Sequence, residues 1–171
     1  MTAQSVGGIR KVPLMGILQW NARSIPANRD SFLRELYEKP VAVVALCETW
    51  FRPGTSYIFP GYALVRLDRF DGKGGVAIMV HNSVRYDPIP LVCSSPNFQA
   101  VAVRITIEGV SVSILSVYRV PGYRGFETEL RRLSLVPPPF VLCGDLNVHH
   151  VGWGCPYNDG AGLLIMDIVD D

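Results

Sequence analysis

Short apolar segments that stop at a polar residue constrain the fold of this chain more than any other feature. Residues 41–46 form an unbroken run of Val, Ala and Leu followed by Cys47 and Glu48, and the apolar residues 14–20 end at Asn21. Runs of this length and composition are typical of strands buried on both faces. Such strands must be covered by helices or by a second sheet, which indicates a layered α/β protein.

The remaining pattern predicts further strands, turns and helices. Helical spacing predicts helices over residues 28–38, 125–135 and 162–169. Strands are predicted over residues 62–67, 75–80, 101–107, 110–118 and 140–143. Apolar and other residues alternate over residues 101–107, which is typical of a half-buried strand. We therefore expect one α/β domain over residues 12–171, preceded by a flexible segment over residues 1–11.

Composition and charge exclude several classes of protein. Charged residues make up 18% of the chain, below the usual proportion of about 25%, which argues against disorder and against a coiled coil. The formal net charge of +1 permits no more than a local basic patch for nucleic acid. No segment has the pattern of a signal peptide or a membrane span. The cysteines form no close metal-binding pair, so we expect an intracellular protein with reduced thiols at Cys47, Cys93, Cys143 and Cys155.

Polar side chains follow the ends of several predicted strands. They are Asn21, Glu48, Tyr118, Asp145 and Asn147. A sheet holds such side chains rigidly around one crevice, so we expect them to form a site. Carboxylates beside amide oxygens suit a hard cation such as Mg²⁺, which keeps several water ligands. The alternative is that each residue serves the local hydrogen bonding of a turn.

This set of side chains predicts chemistry at phosphorus. One carboxylate would hold the cation, and the other would orient or deprotonate a water molecule for attack. The Tyr118 hydroxyl would donate a hydrogen bond to a phosphoryl oxygen as charge develops on it.

Two further motifs predict lesser roles near such a site. The adjacent His149 and His150 lack the cysteine pair of a tetrahedral zinc site, and we expect them to shape the rim or contact substrate. Residues 71–75 lack the spacing of a phosphate-binding loop and predict a hairpin turn that brings Lys73 near a phosphate backbone. Candidate nucleic-acid contacts are Arg23, Arg69, Lys73, Arg119, His149 and His150.

Six motifs occur in an order that resembles the endonuclease/exonuclease/phosphatase superfamily. They are residues 18–24 (LQWNARS), 47–50 (CETW), 59–62 (FPGY), 74–78 (GGVAI), 116–118 (SVY) and 144–150 (GDLNVHH) with the following 153–154 (WG). The fourth and last motifs resemble the apurinic-endonuclease-like domain of non-LTR retrotransposon polyproteins, which also carry a reverse transcriptase.

The resemblance implies a four-layer α/β sandwich that nicks DNA in the nucleus with Mg²⁺, for which Mn²⁺ can substitute. By position, Glu48 matches the family's metal ligand and Asn21 a supporting contact to metal or phosphate. Asp145, also a candidate metal ligand, matches the residue that orients or activates water, and Asn147 its hydrogen-bonding companion. Tyr118 matches the tyrosine on the phosphate side.

The resemblance also implies later strands and a terminal Ser-Asp-His motif, and the sequence ends at Asp171 before them. We therefore expect a C-terminally truncated sandwich that lacks its last strands, with impaired turnover and an exposed sheet edge open to self-association. Two alternatives are a non-catalytic remnant that binds DNA or metal, and a phosphodiesterase or phosphatase that acts on a small substrate. The oligomeric state and the target sequence stay open.

Overall fold

A computed structural model describes residues 16–91 and 95–170, so the expectation for residues 1–11 and the state of Cys93 lie outside the described residues. In chain order the elements are β1 (Ile17–Asn21), α1 (Arg29–Glu38), β2 (Val43–Cys47), β3 (Tyr62–Leu67), β4 (Val76–His81), β5 (Arg85–Ile89), β6 (Phe98–Ile107), β7 (Val110–Arg119), α2 (Glu127–Leu133), β8 (Phe140–Asp145), a 3₁₀ turn (Val151–Trp153) and α3 (Gly160–Asp170). The predicted helices agree with these bounds to within two residues. No helix within the described ranges is long and apolar enough to span a membrane.

The strands form two mixed sheets, each with one parallel pair. The first sheet has the order β1-β2-β4-β3 with β1 parallel to β2, and the second has the order β5-β6-β7-β8 with β7 parallel to β8. A helix connects the strands of each parallel pair, α1 in the first sheet and α2 in the second. Parallel strands end at the same edge of a sheet, so each pair brings two strand ends together.

Three buried clusters separate four layers. The first lies between α1 and the first sheet and includes Phe32, Leu36, Val44, Leu46 and Met79. The second lies between the two sheets and includes Val43, Val76, Ile78, Val103 and Ile114. The third lies between the second sheet and helices α2 and α3, and it includes Phe98, Leu115, Phe126, Leu130 and Ile165. The predicted four-layer α/β sandwich is thus confirmed.

Two strands of the second sheet differ from the sequence prediction. The alternation in residues 101–107 predicts one solvent-facing side, but Val101 and Val103 pack between the sheets while Ala100 and Ala102 pack under the helices. The half-buried assignment is wrong for residues 101–103, because α2 and α3 cover the second face of β6 there, and it holds for residues 104–106, where Arg104 and Thr106 are partly exposed. β5 is missed because Pro88 interrupts its pattern, and proline is tolerated there because β5 lies at the edge of its sheet.

Gly144 allows β8 to approach β7 closely. Its φ of +137° is unusual for a residue with a side chain, and a Cβ atom there would overlap the carbonyl oxygen of Val117. The register pairs Gly144 with Val117 and Asp145 with Tyr118. Displacement of β8 at this point therefore moves Asp145 relative to Tyr118.

We predict that Gly144→Ala destabilises the protein by about 3 kcal/mol, because overlap with the neighbouring strand adds to backbone strain. The matched control is Gly109→Ala in the β6–β7 turn, where φ is +83° and the added Cβ meets nothing within 4 Å. Backbone strain alone at Gly109 costs about 1–2 kcal/mol. Urea unfolding measures both values. Equal losses in the two variants would show that close packing is not the reason for glycine at position 144.

Candidate active site

The side-chain amide of Asn21 joins two carboxylates that come from different sheets. Asn21 ends β1, Glu48 follows β2 in the same sheet, and Asp145 ends β8 in the other sheet. Asn21 Nδ2 donates hydrogen bonds to Glu48 Oε1 at 3.1 Å and to Asp145 Oδ2 at 2.7 Å. The structure therefore brings together three of the polar residues that follow strands in the sequence.

The turn after β8 fixes the second oxygen of the Asp145 carboxylate. The backbone N–H of Asn147 donates to Asp145 Oδ1 at 2.9 Å, and Asn147 has a positive φ of 50°. Asn147 Nδ2 donates to the carbonyl oxygen of Arg119 at 2.7 Å. Both carboxylate oxygens of Asp145 thus accept a hydrogen bond, which restricts rotation of the group.

Tyr118 lies opposite Asp145 in the β7–β8 register and is almost fully buried. Burial raises the pKa of the Tyr118 hydroxyl above its ordinary value, and the charges of Glu48 and Asp145 raise the pKa further. Ionisation would add a third negative charge beside two carboxylates. The phenol therefore stays protonated and can donate a hydrogen bond.

The charges of Asp145 and Glu48 also act on the Cys47 thiol. This fully buried residue precedes Glu48 and ends β2. Burial, followed by the charges of Asp145 and Glu48, raises the pKa of the Cys47 thiol to about 12. The thiol is neutral at physiological pH, which makes it a poor metal ligand and a poor nucleophile.

The oxygen atoms of the site fit a hard divalent cation. Asn21 Oδ1 is buried and accepts no hydrogen bond from the described residues. Two carboxylates and one free amide oxygen are donors that Mg²⁺ accepts together with water. Within the same described residues, no three His, Cys, Asp or Glu side chains surround a common point, so a cation here would take much of its coordination from water.

Arg119, predicted as a nucleic-acid contact, is 4% exposed. Its Nε donates to the carbonyl oxygen of Tyr123 at 2.8 Å, and its Nη1 donates to those of Leu146 at 3.0 Å and Asn147 at 2.9 Å. The guanidinium also lies 4.4 Å from the ring centroid of Phe126. These contacts give Arg119 a positioning role for the turn that holds Asp145 and do not support direct binding of nucleic acid.

The other predicted basic contacts lie around the site. Arg23 is exposed in the turn after Asn21, and Lys73 is exposed in the loop between β3 and β4. Arg69, in the same loop as Lys73, is close enough to Tyr118 for its charge to act against the rise in the Tyr118 pKa. Of the three, Arg69 is the one that acts on a residue of the site.

His149 and His150 are held by contacts within their own loop. His149 Nδ1 lies 3.2 Å from Asp159 Oδ2, and its ring stacks on Tyr157 with centroids 4.7 Å apart. His150 Nδ1 accepts a hydrogen bond from the N–H of Gly152, and its ring lies 5.3 Å from that of Trp153. This placement fits a role in shaping the loop at the rim.

Two buried polar residues near the site are missing from the sequence prediction. Ser116 Oγ donates to the carbonyl oxygen of Leu46 at 2.8 Å and thereby links the two sheets. Gln99, paired with Tyr118 in the register, accepts a hydrogen bond from the N–H of Gly75 at 2.9 Å. Such positions can be recognised in a sequence as polar residues inside an apolar strand, because a buried polar side chain requires a hydrogen-bond partner.

The fold and the site define an α/β-sandwich protein with an acidic crevice where the ends of two parallel strand pairs meet. Residues 18–167 match the model of the endonuclease/exonuclease/phosphatase family, and the chain belongs to that family. The superfamily resemblance predicted from the motifs is confirmed. No curated protein sequence matches the chain.

Solved structures of low sequence identity share the fold. The endonuclease domain of TRAS1, a telomere-specific non-LTR retrotransposon, aligns with a TM-score of 0.76 and 20% identity over 92% of this chain and 72% of that one. A family protein from Leptotrichia buccalis C-1013-b has a TM-score of 0.65 and 17% identity over 90% and 72% of the two chains. An AP endonuclease from Archaeoglobus fulgidus has a TM-score of 0.61 and 22% identity over 92% and 70%.

We predict that Arg119→Met destabilises the protein by about 2–3 kcal/mol, because three carbonyl oxygens lose their donor. The matched control is Arg124→Met, an exposed position whose substitution changes stability by no more than about 0.5 kcal/mol. Urea unfolding measures both variants. If Arg119→Met were as stable as the wild type but bound DNA more weakly, the result would favour the direct DNA contact predicted from the sequence.

Proposed function

We propose that this chain hydrolyses phosphodiester bonds of DNA with Mg²⁺ bound at Glu48 and Asp145, and that Mn²⁺ can substitute. The observation that supports this most strongly is the Asn21 amide between the two carboxylates, since it fixes them at the meeting point of the two sheets. Glu48, Asp145 and the free side-chain oxygen of Asn21 are the proposed cation contacts. When bound, the cation would polarise a phosphoryl oxygen and neutralise charge that develops on it.

Asp145 and Asn147 are the proposed residues that orient the attacking water. Hydrogen bonds from Asn21 and from the Asn147 backbone hold the Asp145 carboxylate in one rotamer. A fixed carboxylate accepts a proton from water in a defined direction, which aligns the oxygen lone pair with phosphorus. Asn147 is the proposed companion that shares this water.

Tyr118 is the proposed donor to the phosphoryl oxygen. Its raised pKa keeps the hydroxyl protonated, and its burial between the two sheets fixes the ring. A pre-positioned donor stabilises negative charge that increases in the transition state.

DNA is the proposed substrate on two grounds. Lys73 is exposed on the loop that is hydrogen-bonded to the residues after Glu48, and it pairs with no carboxylate of the described residues, which suits a polyanion. In addition, the TRAS1 domain and the Archaeoglobus fulgidus protein, which share the fold, are both endonucleases by name. On the likeness to a retrotransposon domain, we propose that the chain works in the nucleus.

We predict that Asp145→Asn lowers Mg²⁺-dependent nicking of supercoiled plasmid at least about 10²-fold, because the neutral amide cannot accept the proton of the water. It also weakens the rise in melting temperature that Mg²⁺ gives the wild-type protein. The matched control is Asp87→Asn on the exposed edge strand β5, which removes the same charge away from the site.

Each outcome of this experiment decides between the proposal and an alternative. Nicking that needs Mg²⁺, stops with EDTA and is lost in Asp145→Asn supports the proposal. A folded wild-type protein that binds Mg²⁺ and DNA but does not nick would contradict it and favour a non-catalytic binding module. Hydrolysis of a small nitrophenyl phosphodiester without plasmid nicking would favour a phosphodiesterase for small substrates.

We predict that Tyr118→Phe lowers the nicking rate about 10²-fold through loss of the donated hydrogen bond. Because the pKa of Tyr118 is raised, any decline of the wild-type rate from ionisation of Tyr118 should occur at a higher pH than an ordinary tyrosine would give. The control is Tyr86→Phe in β5. A Tyr118→Phe rate equal to that of the wild type would show that the hydroxyl takes no part in the reaction and that Tyr118 serves only in packing.

A further inference from the structure

The loop over residues 68–75 joins β3 to β4 and contacts the residues that follow Glu48. The N–H of Trp50 donates to the carbonyl oxygen of Gly74 at 2.8 Å, and the N–H of Thr49 donates to that of Gly75 at 3.2 Å. Both donors lie within two residues after Glu48 in the chain. A Cβ atom at Gly74 would lie 3.3 Å from Tyr118 Cε1, so the loop also touches the other side of the site.

Contacts within the loop brace its tip. Arg69 Nη2 forms an ion pair with Asp71 Oδ2 at 2.8 Å, and the N–H of Lys73 donates to Asp71 Oδ1 at 3.0 Å. Gly72 lies against the side chain of Arg52, whose Cγ would be 3.6 Å from an added Cβ atom. A tip held in this way presents its side chains in defined positions.

Phe70 projects from this braced tip with 93% of its surface exposed. Complete exposure of a phenylalanine forgoes about 1.5–3 kcal/mol of burial, so a ring in this position gains when it finds a partner. Trp50, hydrogen-bonded to the same loop, is also exposed. Two exposed aromatic side chains thus belong to this loop and to the segment that is hydrogen-bonded to it.

Asp68 and Asp71, on either side of Phe70, form ion pairs with Arg66 and Arg69, so the charge left over near Phe70 is positive. Lys73 and Arg52 are exposed, and no carboxylate among the described residues lies within ion-pair distance of either. Aromatic rings interleaved with basic side chains bind nucleic acid by stacking on bases while the cations contact phosphates. Phenylalanine also serves as an apolar wedge between base pairs in proteins that bend or open DNA.

We propose that Phe70 stacks on a nucleobase of DNA beside the phosphodiester in the crevice, while Lys73 and Arg52 contact the flanking phosphates. This inference rests on the proposed DNA substrate and adds to it the residue that engages a base. The loop carries Phe70 on the same backbone that contacts Tyr118 and the residues after Glu48. Base stacking therefore sets the position of the strand relative to the acidic centre.

The test is DNA affinity measured by fluorescence anisotropy on a labelled duplex in EDTA. Phe70→Ala should weaken affinity about ten-fold, while Phe70→Tyr, which keeps a stacking ring, should stay within about two-fold of the wild type. The matched control is Leu135→Ala, which removes a side chain that is 81% exposed outside the crevice and should leave affinity unchanged. Binding in EDTA needs no turnover, so failure of this inference and failure of the proposed hydrolysis are seen separately.

A second measurement detects the stacked base directly. Duplexes with 2-aminopurine at successive positions should show a fluorescence change at one or two neighbouring positions with the wild type and with Phe70→Tyr, and none with Phe70→Ala. Equal affinity of Phe70→Ala and the wild type would overturn the inference and favour a protein partner for the exposed ring. The inference would also be overturned by an aminopurine signal that persists in Phe70→Ala.

Discussion

The hydrogen bonds of one amide group, that of Asn21, set the geometry on which the site depends. Asn21 and Asp145 end strands of different sheets, so the 2.7 Å bond between them exists only while the sheets stay packed face to face. The Ser116–Leu46 hydrogen bond holds the same two sheets together beneath it. Two neighbouring carboxylates repel each other, and the shared amide hydrogens offset part of that repulsion. A divalent cation would offset more of it, which links cation binding to the stability of the fold.

The field of the carboxylate pair reaches residues that do not contact a cation. It contributes to the raised pKa values of Cys47 and Tyr118, although burial is the larger cause for both groups. The effects on function differ because of position. Cys47 is fully buried and is kept inert, whereas Tyr118 lies beside the crevice and is kept as a neutral donor. Burial, with a smaller contribution from the carboxylate pair, thus keeps both groups neutral.

The sequence predicts the acidic centre well and its supports poorly, for a physical reason. Glu48 and Asp145 stand out because an apolar strand precedes each of them, and the packing of the two sheets brings these strand ends together. The role of Arg119 depends on a turn 27 residues later in the chain, and a charged residue in a sequence does not reveal its partner. The sequence also does not reveal why glycine is required at position 144, since the requirement comes from the backbone of the adjacent strand. Polar residues at the ends of buried strands can be predicted, because apolar runs end at them. The particular backbone atoms that Arg119 and Gly144 meet in another segment leave no such mark in the sequence.

The loop over residues 68–75 and the acidic centre at Glu48 and Asp145 are joined at few points. The loop over residues 68–75 meets the centre through the backbone of Gly74 and Gly75, while Phe70 and Lys73 at its tip face solvent. Substitution at the tip therefore changes what lies along the crevice without moving the carboxylates. Because Gly74 and Gly75 have positive φ and little room for a Cβ atom, the base of the loop tolerates less variation than its tip. The fold can therefore keep the geometry of the acidic centre constant while the exposed tip of this loop varies.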